Sequence, residues 1–523
     1  MSSSRISLLF PCSDIETIFS SIRAMPGQKL SFPARTGILR WMDTFDWQLE
    51  RHNASLMIHD SRFNSQFILF SPSTTFVSDE PRASTKWVNP GCVKDKALAD
   101  HLSGLTQRAL VPQATTTAAM IKYEFLNSEE MPATTLWLLN LGEIGVCGAI
   151  LHTKRGHEAF GRRIERRILD VFELQDSTPI ATDLFDVVLS MQNRVKKDYQ
   201  SRFDLTLAPS TESCIAIAKA LFGEQQRAVK NSLWIRDHPD PEFLHDLRVA
   251  MRRSASLLAV LGPFLAPLDV SWLLTELKKF IGLTSPVRDL ENLGKLFRTA
   301  ALSDSGGTAI GLLRSQISKD VETAYGQLAQ LIPSPRFEHL TSSWARLARN
   351  ALALSLSIPT SGTSTGRSSG QVEPMLSPQT LVAVSAPVVL ERSAASLLKK
   401  TRKARASMSP ESLHTLRKQA KTLRYLLEFY ESILEPASAR QCIAGVKKLQ
   451  DALGQHQDSY VQSQLLEKLC SDYGHSRHEL QPVFDILKRA QDEAVGDYER
   501  EIKHFSGRRM LHAIQCATGS IRK

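Results

Sequence analysis

A set of charged residues recurs in this 523-residue chain at a constant offset of 169 positions. His245, Arg248 and Arg252, then Lys278 and Lys279, then Asp289 become His414, Arg417 and Lys421, then Lys447 and Lys448, then Asp458. No gap is needed. Apolar positions obey the same shift, with Leu244 mapping to Leu413, Leu247 to Leu416 and Leu258 to Leu427. Spacing preserved on this scale predicts two copies of one helical unit. Cations preserved on both copies predict that the two units face one polyanion.

On a helix turning by about 100° per residue, His245, Arg248 and Arg252 share a face, with Arg253 close by. Leu244, Leu247, Met251 and Leu258 lie opposite. In the second copy His414, Arg417, Lys418 and Lys421 share a face, opposite Leu413, Leu416, Ala420, Leu423 and Leu427. The apolar stripe packs inward and the basic stripe faces a groove or solvent. Like charges one turn apart repel, and these stripes contain almost no interleaved acids. Relief comes either from carboxylates on neighbouring helices or from an anion in the groove. Arginine offers a fork that fits phosphate oxygens, and lysine a mobile point charge.

The second part of the signature is LKKFIGLTSPVRDLENL (277–293), matched by VKKLQDALGQHQDSYVQ (446–462), in which Arg288 becomes Gln457. Lys278, Lys279, Lys447 and Lys448 are read as groove residues. Asp289 and Asp458 orient basic side chains or cap a helix. His245 and His414 are either packed structural histidines or donors to phosphate or to a helix end. Neither has a second His or Cys at ligand spacing on its helix, so no metal is expected.

Charge and composition agree with a divided chain. Residues 1–204 hold 23 basic against 23 acidic residues, and residues 205–523 hold 41 against 31. The whole excess sits with the repeat, where a positive field recruits anions. The first part reads as mixed α/β, with strands near Ile6–Phe10, Gln66–Phe70, Thr135–Leu139 and Val146–His152 and helices near 13–25 and 156–169. From about 208 the pattern is helical, with segments near 212–235, 240–261, 269–284, 287–302, 308–331 and 336–354. A Ser/Thr/Gly-rich linker near 358–380 follows, and helices resume near 388–406, 409–432, 437–453, 455–471 and 477–505. Domains are therefore expected over 1–200 and 205–520, the latter in halves of about 208–355 and 385–520. The start of the chain is too polar for a secretion signal, and no apolar run reaches membrane-spanning length. Seven scattered cysteines without a CxxC pair suit a reducing compartment, and a cytoplasmic protein is expected.

The histidine helices resemble the CHAD family, the conserved histidine α-helical domain, over roughly 205–520. The resemblance implies an all-α domain of two pseudo-symmetric helical-bundle halves. It also implies non-catalytic binding of inorganic polyphosphate in a basic central groove, and association with polyphosphate granules. The groove residues carried over are His245, Arg248, Arg252, Arg253, Lys278, Lys279, Arg288, His414, Arg417, Lys418, Lys421, Arg424, Lys447 and Lys448. The family's basic positions seven, eight and ten after the histidine are incomplete: Ala255 stands in the first copy and Thr422 in the second.

RWMDTFDWQLERHNASL (40–56) and RALVPQA (108–114) resemble the CYTH family. That likeness implies an α+β domain built on a triphosphate tunnel, a β-barrel, here degenerate. Its chemistry needs alternating acids for a divalent metal and basic residues along the tunnel. Arg5-Ile6-Ser7-Leu8-Leu9-Phe10-Pro11, Leu56-Met57-Ile58-His59, Thr115-Thr116-Thr117 and Ala149-Ile150-Leu151-His152 stand where those residues belong. No catalytic, metal or cofactor residue is assigned. Arg162, Arg163, Arg166 and Arg167 read as a solvated basic face. A residual triphosphatase, or a nucleic-acid or protein-interaction module on the same basic surface, are the alternatives. Against the latter, no nucleic-acid motif or basic–aromatic alternation is present.

Overall fold

A computed structural model describes residues 4–11, 20, 22–25, 28–62, 64–72, 74–81, 86–142, 145–173, 183–199, 203, 205–237, 240–300, 308–356, 377–505 and 508–519. Most of the helix expected near 13–25, and nearly all of the linker expected near 358–380, lie outside these residues. The chain divides into two compact units, Met1–Ser201 and Arg202–Lys523.

The first unit is built on one antiparallel sheet in the order β1-β8-β7-β6-β2-β3-β4-β5. Its strands are β1 Ser4–Pro11, β2 Gln28–Asp43, β3 Ser55–Asp60, β4 Asn64–Phe70, β5 Thr75–Pro81, β6 Val111–Leu126, β7 Pro132–Leu141 and β8 Val146–Thr153. Between them run α1 Gln48–Arg51 and α2 Lys96–Leu105, and after them α3 Glu158–Glu173 and α4 Leu184–Met191. Strand alternation sends Ile121, Tyr123, Phe125, Leu136, Leu138, Ala149 and Leu151 to one face, where Ile164 and Ile168 of α3 cover them. Farther along the sheet Met42, Leu56, Ile58, Phe67 and Leu69 pack against Leu98, Ala99 and Leu102 of α2. The alternate residues line the other face: Arg35 opposes Met120 and Lys122 opposes Trp137 in the strand registers. There Phe185 of α4 stacks on Trp41 at 5.7 Å. The sequence-expected strands all form, and the 40–56 motif spans the end of β2, α1 and the start of β3.

The second unit is helical. Its first half holds α5 Ser213–Ser232, α6 Pro241–Leu261, α7 Ser271–Leu283, α8 Ser285–Ala300, α9 Thr308–Leu331 and α10 Pro335–Ala353. Its second half holds α11 Val382–Ser407, α12 Pro410–Tyr430, α13 Pro436–Tyr473, α14 Gln481–Phe505 and α15 Arg508–Gly519. Both histidine helices open on a capped proline: Asp240 accepts from the Glu242 amide at 2.8 Å, and Ser409 from the Ser412 amide at 3.2 Å. Shifting α6 by 169 positions reproduces the limits of α12.

One expected boundary differs. The segments read as separate helices near 437–453 and 455–471 are a single helix, α13, whereas the first half breaks at Thr284. The cause is Pro286, which has no N–H to donate back along the helix. Gln455 occupies the matching position and lets the helix continue. Helix α15, which the periodicity did not single out, corresponds to α10.

The duplication is also a spatial symmetry. The Ser213 amide donates to the Thr380 carbonyl at 2.8 Å, and the Val382 amide donates to the Thr211 carbonyl at 2.8 Å. Shifting the first bond by 169 positions exchanges its partners for those of the second. Such reciprocity defines a two-fold axis. The halves share a core around it, in which Leu293, Phe297, Ile310, Leu313 and Ile317 pack with Leu466, Leu469, Val483, Phe484 and Leu487.

Candidate anion-binding groove

Helix α6 packs on α12, and α8 on α13. Residues near a two-fold axis meet their own copies, and two pairs here do so. The guanidinium of Arg252 acts on the amine of its counterpart Lys421. The carboxylate of Asp458 acts on that of its counterpart Asp289. The basic stripes therefore converge, as equal spacing on a duplicated helix requires.

Lys421 is half-buried, and no carboxylate lies within ion-pair distance of its amine among the described residues. Burial, with Arg417 and Arg252 alongside, pulls its ammonium down to about 7; Asp458 opposes this and Arg424 adds to it. Arg252 is likewise half-buried without an ion pair among the described residues. The Nε atoms of Arg252 and Arg417 are buried with no in-chain acceptor. Arg417 rests on Gly454, where a β-carbon would come within 3.3 Å of Nη2, and it donates to Asp458 at 3.1 Å. Asp458 thus orients a basic side chain. Lys278, Lys418, Lys447 and Lys448 are exposed and form no ion pair among the described residues. Exposed His414 is held below the ordinary histidine range by partial burial, then by Lys418, Arg417 and Lys421.

Other expected groove cations are committed elsewhere. Arg253, adjacent to Arg252 in sequence, turns inward and is buried. It lies 3.5 Å from both Glu224 and Glu428, with its guanidinium over the rings of Phe203 and Tyr425. Arg288 is neutralised by Glu291 at 2.9 Å and Glu242 at 3.8 Å. Arg424 pairs with Glu428 at 3.1 Å, and Lys279 with Glu276 at 2.7 Å. These four calls are corrected: their charges are answered by carboxylates of the chain. For Arg288, Arg424 and Lys279 the signal lay in acids three or four residues away. For Arg253 no local signal exists, because Glu224 and Glu428 come from other helices.

Arg248 has a third role. Its fork reaches the end of α7, donating from Nη1 to the Ile281 carbonyl at 2.7 Å and to the Thr284 hydroxyl, and from Nη2 to Ser285 Oγ at 3.1 Å. It caps the helix end that Pro286 interrupts, where a cation also meets the negative pole of the helix. Burial and Arg252 lower its pKa to about 10. His245, half-buried beside it, is pushed down to about 4 by burial, with Glu242 opposing and Arg288, Arg252 and Arg248 assisting. It is neutral at physiological pH. Donor atoms of Glu242, His245 and Asp246 lie within 4.8 Å of one another. A cation held there would face Arg248, Arg252 and Arg288, and Glu242 is already engaged by Arg288.

In the N-terminal unit, residues that the sequence reading passed over line a cavity of about 440 Å³: Lys122, Glu124, Thr135, His152, Lys154 and Arg155 among them. Strand alternation from β6, β7 and β8 brings them together. Lys122 is paired with Glu124 at 2.9 Å. The residues present do not fit a divalent ion of the kind the tunnel chemistry uses. β1 contains no carboxylate, and Ser7 and Arg5 register against Ile150 and His152 of β8. Asp60 is held by Arg40, and Glu80 accepts from the Lys94 and Asp95 amides.

The family model described as the CHAD domain matches residues 218–467. No curated protein matches the chain. Among solved structures, the CHAD domain from the plant Ricinus communis matches at 22% identity and TM-score 0.47, covering 60% of this chain and 96% of that one. PptA from Streptomyces chartreusis matches at 14% identity and TM-score 0.39, covering 56% and 100%. A putative adenylate cyclase from Vibrio parahaemolyticus matches at 11% identity and TM-score 0.26, covering 36% and 99%. No helix among the described residues is long and apolar enough to cross a membrane. The antiparallel sheet of the first unit is thus followed by a helical unit that carries a CHAD domain, at residues 218–467.

Proposed function

We propose that the helical unit binds inorganic polyphosphate in the groove between its halves and performs no chemistry on it. The observation that carries this reading is the meeting of Arg252 with its counterpart Lys421 without an in-chain carboxylate to neutralise either. Holding these charges together costs stability, and a bound polyanion removes that cost. The buried Nε atoms of Arg252 and Arg417 are donors in want of acceptors, which phosphate oxygens supply. Exposed Lys278, Lys418, Lys447 and Lys448 add long-range attraction. Asp289 and Asp458 set its limit, since an anion must pass beside them.

The test is titration with long-chain polyphosphate at two salt concentrations, comparing the native chain with Arg252→Gln plus Lys421→Gln. Tight binding that weakens with salt and with the double variant supports the reading. Tight binding that the double variant leaves unchanged refutes it. Competition by DNA or RNA equal to that of polyphosphate favours the nucleic-acid alternative. We also propose that the N-terminal unit is not a phosphohydrolase, on the strength of its in-chain commitment of acids. Magnesium- or manganese-dependent phosphate release from tripolyphosphate would overturn that.

A further inference from the structure

Among the groove cations, Lys421 alone combines partial burial, freedom from a carboxylate partner and close arginines from both halves. Arg252 comes from the facing helix, Arg417 and Arg424 from its own, and Asp458 is the acid that acts on it. Arg424 is turned toward Glu428, and Asp458 is held by Arg417. Arg252 and Arg417 therefore flank the amine with buried, unused N–H donors. This is the arrangement that makes a lysine a nucleophile: neighbouring cations disfavour the ammonium, so that the free amine persists at neutral pH.

We propose that Lys421 is a modification site, acylated by acyl phosphates, the mixed anhydrides of carboxylic and phosphoric acid, with Arg252 and Arg417 holding the phosphate as it leaves. The proposal rests on the reading of the groove as a phosphate site. The neutral amine nitrogen attacks the carbonyl carbon. A carbon–nitrogen bond forms and the carbon–oxygen bond to phosphate breaks. Phosphate departs with that electron pair, and the surplus ammonium proton passes to it or to water. The products are N-acyl-lysine and inorganic phosphate, and no oxidant or metal is required. The product amide is neutral, so acylation would switch off the charge at the centre of the groove. Exposed Lys447 and Lys448 lack such flanking donors and serve as internal controls.

The experiment treats the full chain with acetyl phosphate near pH 7.5 and follows each lysine by peptide mass spectrometry. Lys421 should react at least about ten times faster than Lys447 or Lys448, the gain in free amine exceeding the loss in basicity. Added polyphosphate should protect it, and Arg252→Gln should slow it. An uncharged N-hydroxysuccinimide ester should show a smaller preference for Lys421. Reaction at Lys421 no faster than at Lys447 overturns the proposal. So does an equal preference with the uncharged ester, because the arginines would then hold no phosphate. Polyphosphate titration run in parallel separates the two readings. Binding without selective acylation removes this proposal alone, and selective acylation without binding removes the polymer reading alone.

Discussion

Replacing Lys421 by methionine should make the ligand-free protein more stable and, at the same time, a weaker polyanion binder. Lys421 is charged only at a cost in the folded chain, because burial and the arginines draw its pKa from 10.5 to about 7. Each unit is about 1.4 kcal/mol, so the limiting penalty near neutral pH is about 5 kcal/mol. The side chain is partly exposed, and solvent screening leaves roughly 2 kcal/mol of it. Methionine keeps most of the aliphatic packing and removes the charge. Between the folded and unfolded pKa values the unfolded chain holds the extra proton. Native stability should therefore climb as pH rises from about 7 toward 10. The methionine variant should lose that climb. Urea unfolding followed by helical circular dichroism at pH 6 and pH 9.5 measures both effects. The affinity arm is a salt series with polyphosphate, in which the slope of log K should fall by roughly 0.7–0.9 for one lost phosphate contact. A methionine variant less stable than the native chain at pH 6, or one retaining the native pH slope, would show that the groove does not strain this lysine.

Three further outcomes are expected. Arg253→Met leaves Glu224 and Glu428 short of a buried partner and should cost about 3–5 kcal/mol in denaturant unfolding; a loss under about 1 kcal/mol would contradict its structural role. His245 stays neutral in the fold down to about 4, so as pH falls from 6.5 the unfolded chain takes up a proton that the folded chain refuses. Stability should drop by up to about 3 kcal/mol across that window, and His245→Gln should flatten the drop. Gly161→Val in α3 would drive a β-carbon into the side chain of buried Thr153 on β8. It should lower the melting temperature of the N-terminal unit by an amount equivalent to about 2 kcal/mol or more, whereas Gly104→Ala, where a β-carbon meets nothing within 4 Å, should not.

Much of the helical unit was legible because its determinants are local. A capped proline starts α6 and α12, leucines at three- and four-residue spacing bury one face, and the offset between copies fixes the pairing of positions. Pro286 was equally visible, yet its effect was not weighed against Gln455, and α13 was divided where it runs on. The sheet of the first unit was legible only as scattered strands. Its order depends on pairings such as β2 with β6, which join distant segments and leave no periodic trace. The cavity around Lys122 and His152 was missed for the same reason: its residues come from separate strands, and their shared face follows from register.

Sequence by itself determined that the chain carries two matched cationic stripes, because helical periodicity and a conserved offset are properties of the covalent chain. It could not tell Arg252 from Arg253, which are neighbours in that chain. Tertiary structure separated them: one points to the two-fold axis and meets Lys421, while the other enters a buried cluster with Glu224 and Glu428. It also made Arg248 a helix cap and gave Arg288 to Glu291 and Glu242. The reason is physical. A residue's charge is written in the sequence, but whether that charge remains available depends on carboxylates a few ångströms away, and those distances exist only once separate helices have packed.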